Sequence, residues 1–271
     1  MNLRKLIFTN NDCYRAGKKI KPRGIMVHST GANNPKLKRY VGPDDGLLGK
    51  NLFGNHWNQK MSRNVCVHAF IGKLKDGTIA TYQTLPWDHR GWHGGGVSND
   101  THIGFEICED NLKDANYFAK VYKEAVELCA YLCKMFDLTE NNIICHSEGH
   151  DKGIASNHGD VMHWFPIHGK SMDTFRADVK ALIAEKPVVV ASTIKLDTAK
   201  SYSKKKAGTY KVKANSGLRL RSGASTEKTI IEIMKSGSTV RCYGYYTGSW
   251  LYVVSASGLT GFCHSSYLVK A

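Results

Sequence analysis

Three short stretches of the chain carry side chains that together could do hydrolytic chemistry: Val27-His28-Ser29-Thr30, Ile144-Cys145-His146-Ser147 and His158-Gly159-Asp160. His28 and His146 each end a short apolar run, Gly-Ile-Met-Val-His28 and Asn-Ile-Ile-Cys-His146. A side chain at the carboxyl end of a buried strand projects from the sheet edge, where α/β proteins build their sites. Two imidazoles and a carboxylate are the donors that hold a catalytic Zn²⁺ with one position left open to water. His28, His146 and Asp160 are therefore the candidate metal ligands, and Zn²⁺ the expected cofactor. Such an ion lowers the pKa of water from 15.7 toward ~7 and polarises a carbonyl, so the set predicts hydrolysis.

The reaction needs further groups. Glu106, mid-strand in Ile103-Gly-Phe-Glu-Ile-Cys108, is the candidate that takes a proton from water and returns it to a leaving amine. His158, two residues before Asp160, could donate to a developing oxyanion. Gly91-Trp-His-Gly-Gly-Gly96 places Trp92 and His93 on a glycine-rich loop, which suits a substrate groove. Plainer roles compete with each assignment. With 12 histidines present, any one of them is more often a satisfied polar residue than a ligand. Glu106 could face solvent from a strand, Asp160 could cap a loop, and His68 could brace a sheet.

The elements that must position these groups follow from hydrophobic periodicity. Residues 24–28, 65–72, 103–108 and 142–146 read as strands, and Lys75-Asp-Gly77 as a hairpin turn into Thr78–Gln83. Alternation sets Phe105 and Ile107 on one face and Glu106 on the other, and likewise turns Cys145 away from His146. The stripe Phe118, Tyr122, Ala125, Val126, Cys129, Leu132, Cys133 and Phe136 predicts an amphipathic helix over 114–136, capped by Asp114. A loop runs from His146 to Trp164, and Met172–Ala184 closes the unit as a helix. The expected class is α/β, a mixed central sheet flanked by helices, over residues 1–185. Composition then shifts to Val, Ala, Ser, Thr and Lys, a linker over 186–207 in which Pro187-Val-Val-Val190 could still pack on the domain. Short strands between Gly/Ser turns over 208–271 predict a small all-β barrel.

The bulk numbers bound the partners. At 271 residues, 42% hydrophobic and 23% charged, the chain can bury one sizeable core plus a small module. No apolar run approaches the roughly 18 residues that span a bilayer. The first twelve residues lack a long apolar stretch and a small-residue cleavage site, so no signal peptide is expected. Eight cysteines, several in apolar runs, read as reduced small hydrophobes and not as a disulfide framework. The formal charge of +15 favours a polyanionic partner, for which nucleic acid, an anionic membrane and an acidic cell wall all qualify. The cations are scattered (Lys36, Lys38, Arg39; Lys204 to Lys206; Lys211, Lys213) and form no nucleic-acid-binding motif.

Taken in chain order, His28-Ser-Thr, the Asp76-Gly-Thr-Ile79 turn, Trp92-His-Gly-Gly95, Ile103-Gly-Phe-Glu106, Ile144-Cys-His146 and Asp160 ahead of Trp164-Phe-Pro166 resemble the type 2 N-acetylmuramoyl-L-alanine amidases. These are relatives of peptidoglycan recognition proteins and phage lysozyme-like amidases. The resemblance covers roughly residues 1–185. It implies zinc ligands at His28, His146 and Asp160, a catalytic Glu106, and His158 where the family often has Lys. Two departures stand out: Asp160-Val-Met162 replaces the usual Asp-Pro-Gly, and the loop from His146 is longer. His158 is thus the alternative third ligand, with Asp160 then outside the coordination sphere. Residues 208–271 resemble a bacterial SH3-type cell-wall-binding domain, through Leu218-Arg-Leu-Arg-Ser-Gly-Ala-Ser225, Trp250 and Thr260-Gly-Phe-Cys-His-Ser-Ser-Tyr-Leu268. Arg219 stands where that pattern usually has Asn.

These resemblances imply a peptidoglycan hydrolase that cleaves the amide between N-acetylmuramic acid and the L-Ala of the stem peptide. Its expected partners are peptidoglycan and the anionic wall polymers, with no nucleic acid and no membrane span. A wall substrate without a signal peptide implies a phage or prophage endolysin, made in the host cytoplasm and released through a holin-type pore. A bacterial autolysin or sporulation amidase, or a non-catalytic peptidoglycan-binding protein, is the alternative.

Overall fold

A computed structural model describes residues 1–62, 64–184, 195–215 and 217–271. The chain divides into two compact units, Met1–Glu185 and Lys186–Ala271.

The first unit is built on six strands: β1 (Leu3–Lys5), β2 (Gly24–Ser29), β3 (Ala69–Lys73), β4 (Ile79–Gln83), β5 (His102–Ile107) and β6 (Ile143–Cys145). They form one mixed sheet in the order β1-β4-β3-β5-β2-β6, with the β3–β4 hairpin antiparallel and every other pairing parallel. Four helices accompany it: α1 (Asp12–Arg15), α2 (Ala115–Phe136), α3 (His146–Asp151) and α4 (Met172–Ala184). The α/β class expected from the sequence is the one observed.

Strand alternation divides the core in two. Ile25, Val27, Phe105, Ile107, Ala69 and Ile71 face α2 and α4 and pack on Val121, Leu128, Phe165 and Phe175. Phe70, Ala80 and Tyr82 turn to the other face, against Phe8, Leu37, Tyr40 and Leu48. Full burial of each Val, Leu, Ile or Phe side chain among these contributes about 1.5–3 kcal/mol. Helix α2 starts where its stripe predicts, with the Asp114 carboxylate accepting from the N–H groups of Asn116 and Tyr117, both at 3.0 Å.

Three expectations shift. The strand read over 65–72 begins only at Ala69, because Cys66 instead exchanges two backbone hydrogen bonds with Trp92 (3.1 and 2.9 Å). The strand read over 142–146 ends at Cys145, and His146 opens α3 inside what was read as loop. Strand β1, unread at the N-terminus, forms the edge of the sheet by pairing with β4 through backbone groups that composition does not report.

The second unit is an antiparallel sheet of β7 (Ser201–Tyr202), β8 (Gly208–Val212), β9 (Leu218–Arg221), β10 (Ile230–Met234), β11 (Thr239–Thr247), β12 (Trp250–Ser255), β13 (Thr260–His264) and β14 (Leu268–Lys270). It wraps an apolar core that includes Val212, Leu220, Val240, Leu251, Val253 and Cys263. Of the expected linker over 186–207, residues 186–194, with Pro187-Val-Val-Val190, lie outside the described residues. From Lys195 onward the segment is bound to this sheet. The Asp197 N–H donates to Ser222 O (2.8 Å), the Lys200 N–H to Thr247 Oγ1 (3.0 Å), and Tyr202 pairs with Tyr245. Backbone pairing is indifferent to the Ser/Thr/Lys composition that suggested a tether.

All eight cysteines are buried free thiols. No helix among the described residues is long and apolar enough to cross a membrane.

His68, just ahead of β3, braces the sheet as its position suggested. It is fully buried, its Nδ1 accepts the Gly104 N–H (3.1 Å), and its Nε2 donates to His89 O (2.7 Å). The bond accepted at Nδ1 requires the neutral ring, whereas Nε2–H can donate in either state, and burial lowers the pKa from 6.5 to about 4. Between those values the unfolded chain takes up a proton that the folded chain refuses, so stability is complete above about 6.5 and declines as pH falls toward 4. The loss at the acid end is on the order of 3 kcal/mol. Urea unfolding of the parent and His68→Gln from pH 7 to 4 should show the variant losing less stability over that range. Parallel curves would remove His68 from the account.

Candidate active site

The parallel registers around β2 assemble the site. His28 lies opposite Glu106 on β5, and Val27 lies opposite Cys145, the last residue of β6. His28 and Glu106 therefore share a sheet face, opposite the one that packs on α2, and His146 stands at the adjoining strand end.

His146 is held by its own helix start. Glu148 accepts the Cys145 N–H (3.1 Å) across the first turn of α3. Arg176, from α4, grips the Glu148 carboxylate with bonds of 2.9 and 3.0 Å and also reaches Ile143 O (3.2 Å). Strand β6, helix α3 and helix α4 are thereby tied at one point. Asp160 is placed from the other direction, by the fully buried Val161 and Trp164 that follow it.

The three predicted ligands meet. His146 Nδ1 lies 3.1 Å from His28 Nδ1, Asp160 Oδ2 lies 3.4 Å from His28 Nδ1, and it lies 3.5 Å from His146 Nδ1. Donors bound ~2.0–2.1 Å from a tetrahedral ion stand about 3.3 Å apart, so the triangle has the size such an ion requires. Among the described residues, His28, His146 and Asp160 form a cluster able to hold a metal. Both histidines are buried and Asp160 is half-buried. Burial alone would raise the Asp160 carboxyl, but its bonds to His146 and His28 outweigh burial and hold it well below the usual carboxylate range. Burial lowers His28, against a partial offset from Asp160.

Glu106 is half-buried, and its Oε2 is buried with no hydrogen-bond partner. Burial pushes its carboxyl well up, and the charges of Asp160 and Glu109 push the same way. An acceptor left free beside the donor triangle is what a proton carrier needs. His158 is exposed, and its ring lies 4.8 Å from that of His146, on the solvent side of the cluster. It is not one of the three converging donors.

The two residues expected in a groove part company. Trp92 is 41% exposed, with the Arg90 guanidinium 4.7 Å above its ring. His93 points inward instead, its Nδ1 3.0 Å from His28 Nε2 and its Nε2 3.1 Å from His102 O. Adjacent residues of an extended segment face opposite ways, which the glycines around them obscured in the sequence. Sequence reasoning also missed Ser156, whose Oγ lies 3.1 Å from His146 Nε2, and the Glu148–Arg176 clamp. The hint available was Glu148 at the third position of a helix start.

An α/β unit with a two-histidine, one-carboxylate cluster at its strand ends has a donor set able to hold a metal ion, the kind of site a hydrolase can use. Residues 18–161 match the family described as N-acetylmuramoyl-L-alanine amidase, and residues 216–269 match the bacterial SH3 domain. The chain belongs to the N-acetylmuramoyl-L-alanine amidase family. It is 26% identical over 150 residues to a probable N-acetylmuramoyl-L-alanine amidase of Bacillus licheniformis, a match covering 54% of this chain and 36% of that protein. Among solved structures, a Staphylococcus aureus hydrolase, AmiA, in complex with its ligand aligns with TM-score 0.47 at 18% identity, over 70% of this chain and 84% of that one. A mutant endolysin from Bacillus subtilis aligns with TM-score 0.44 at 23% identity, over 66% and 99% respectively.

Removing the clamp tests how His146 is positioned. Arg176→Ala should cost about 1–2 kcal/mol in urea unfolding and weaken divalent-ion binding. An unchanged midpoint together with unchanged ion affinity would show that α3 is held by other contacts.

Proposed function

We propose that the first unit is a zinc-dependent N-acetylmuramoyl-L-alanine amidase that cleaves the amide between the lactyl group of N-acetylmuramic acid and the first L-Ala of the stem peptide. The observation that carries this reading is the donor triangle of His28, His146 and Asp160, with sides of 3.1 to 3.5 Å, in a chain of this family. A Zn²⁺ held there supplies Lewis acidity toward a carbonyl oxygen and toward water.

The chain's own groups do the rest. Glu106, on the strand beside His28, takes the proton of the attacking water through its free Oε2 and passes it to the departing alanine nitrogen. His158, at the solvent face of His146, donates a hydrogen bond to the oxyanion that develops on the lactyl carbonyl. Trp92 offers an exposed ring on which a sugar or peptide can lie.

The second unit, with its SH3 domain match, tethers the enzyme to the wall and raises local substrate concentration. The net charge of +15 favours adsorption to phosphate-rich wall polymers. A phage or prophage endolysin, released to the wall from the host cytoplasm, is the setting that fits this pairing.

Chelator-stripped protein should fail to release new alanine N-termini from purified walls and recover on adding Zn²⁺. Glu106→Gln should retain zinc and wall binding while the rate drops about 10²–10⁴-fold. Wall binding without any release of amino termini by the parent would make the protein a non-catalytic peptidoglycan binder.

A further inference from the structure

We infer that the glycine-rich segment carrying His93, together with Ser156, is the outer support of the metal centre: each residue is a positioning residue that fixes the tautomer and aim of one ligand histidine. The inference rests on the zinc-centre reading above and changes the role of His93 from groove residue to ligand support.

The proton bookkeeping around His28 is constrained from its far end. The carbonyl oxygen of His102 can only accept, so His93 Nε2, 3.1 Å away, carries a proton and donates it. In the neutral ring, His93 Nδ1 is then a bare acceptor, and it faces His28 Nε2 at 3.0 Å. His28 must therefore hold its proton on Nε2, which leaves the Nδ1 lone pair aimed at His146 and Asp160. His146 has the same arrangement. Ser156 Oγ donates to Gly94 O (3.3 Å) and accepts from His146 Nε2 (3.1 Å), so that the Nδ1 of His146 is likewise bare. Two hydrogen-bond chains end with both Nδ1 atoms facing one point, 3.1 Å apart. Two lone pairs at that distance repel unless a cation lies between them. A ligand histidine commonly has its second ring nitrogen fixed by an outer hydrogen bond in this way.

Both supports are built on one piece of backbone. Asn99 Oδ1 accepts the N–H groups of His93 (2.8 Å) and Gly94 (2.9 Å), and the Ser156 N–H donates to Gly94 O (2.8 Å). The glycines allow the close approach. A Cβ at Gly104 would fall 2.4 Å from the His93 ring, and one at Gly95, where φ is +70°, would fall 2.6 Å from Ser156 Oγ. Gly95 of the loop and Gly104 of β5 are thus packing requirements of the groups around His28 and His146.

The test is zinc affinity of the full chain, measured by competition with a chromophoric chelator for the parent, His93→Ala, His93→Asn and Ser156→Ala. His93→Ala and Ser156→Ala should each bind Zn²⁺ about 10–100-fold more weakly. His93→Asn, which keeps an acceptor near the Nδ1 position, should recover most of the affinity lost in His93→Ala. The Co²⁺-substituted variants should show altered ligand-field spectra, which a residue serving only packing would leave unchanged. If His93→Ala does not fold, Ser156→Ala and His93→Asn carry the comparison. Parent-like zinc affinity in all three variants, with only KM for wall fragments raised, would return His93 to the groove and overturn the inference. A parent that binds no zinc would overturn the metal-centre reading itself, and the inference with it.

Discussion

The structure depends on two imidazole nitrogens and a carboxylate oxygen being held within 3.5 Å of one another. Such a triangle is electrostatically uncomfortable on its own and becomes favourable around a cation. Its assembly needs a scaffold stiff enough to resist the repulsion. Parallel strands β5, β2 and β6 supply it, since their registers fix His28 beside Glu106 and bring the end of β6 alongside. The Glu148–Arg176 clamp then stops His146 from swinging away with α3, and Val161 and Trp164 anchor Asp160 in the apolar core. Each of the three residues is thus fastened by an element that also does structural work.

Imidazoles recur in this region because they suit a half-apolar interior. His28, His68, His93 and His102 all have their pKa lowered, with burial the leading cause in each. A neutral imidazole can donate at one nitrogen and accept at the other, so a row of them relays hydrogen-bond direction through the interior without burying charge. His68 and His93 are anchored on backbone groups of β5, Gly104 N and His102 O, which makes that strand the common reference for proton placement around the site. Glu106 departs from the pattern, a carboxyl with one oxygen buried and unpartnered on the strand beside His28.

Much of this was legible from residue order. The amphipathic stripe of α2, its Asp114 cap, the Asp-Gly turn between β3 and β4, and the alternation that separates Glu106 from Phe105 and Ile107 are local patterns, and local backbone preference decides them. The three residues that converge were legible as well, because His28 and His146 follow apolar runs and Asp160 precedes the aromatic anchor Trp164. Less visible were features that depend on partners distant in the chain. Strand β1 is short and polar and forms only by adding to an edge. His146 reads as a strand end, yet the nearby Glu148 and the remote Arg176 make it a helix start. The segment from Lys195 reads as a tether, yet its N–H groups bond the sheet of the second unit.

By itself, the sequence determined the class of the chain, its division into an α/β part and an all-β part, and the chemical types present at the site. Side-chain identity and hydrophobic period are properties of short stretches, and they need no knowledge of the remote chain. Only the tertiary structure decided which nitrogen of His28 and of His146 faces the cluster, and that Trp92 and His93, neighbours in one motif, serve opposite sides of the same loop. Those choices are made by hydrogen bonds to His102 O, Gly94 O and Asn99, whose positions relative to His28 and His146 exist only once the sheet has paired.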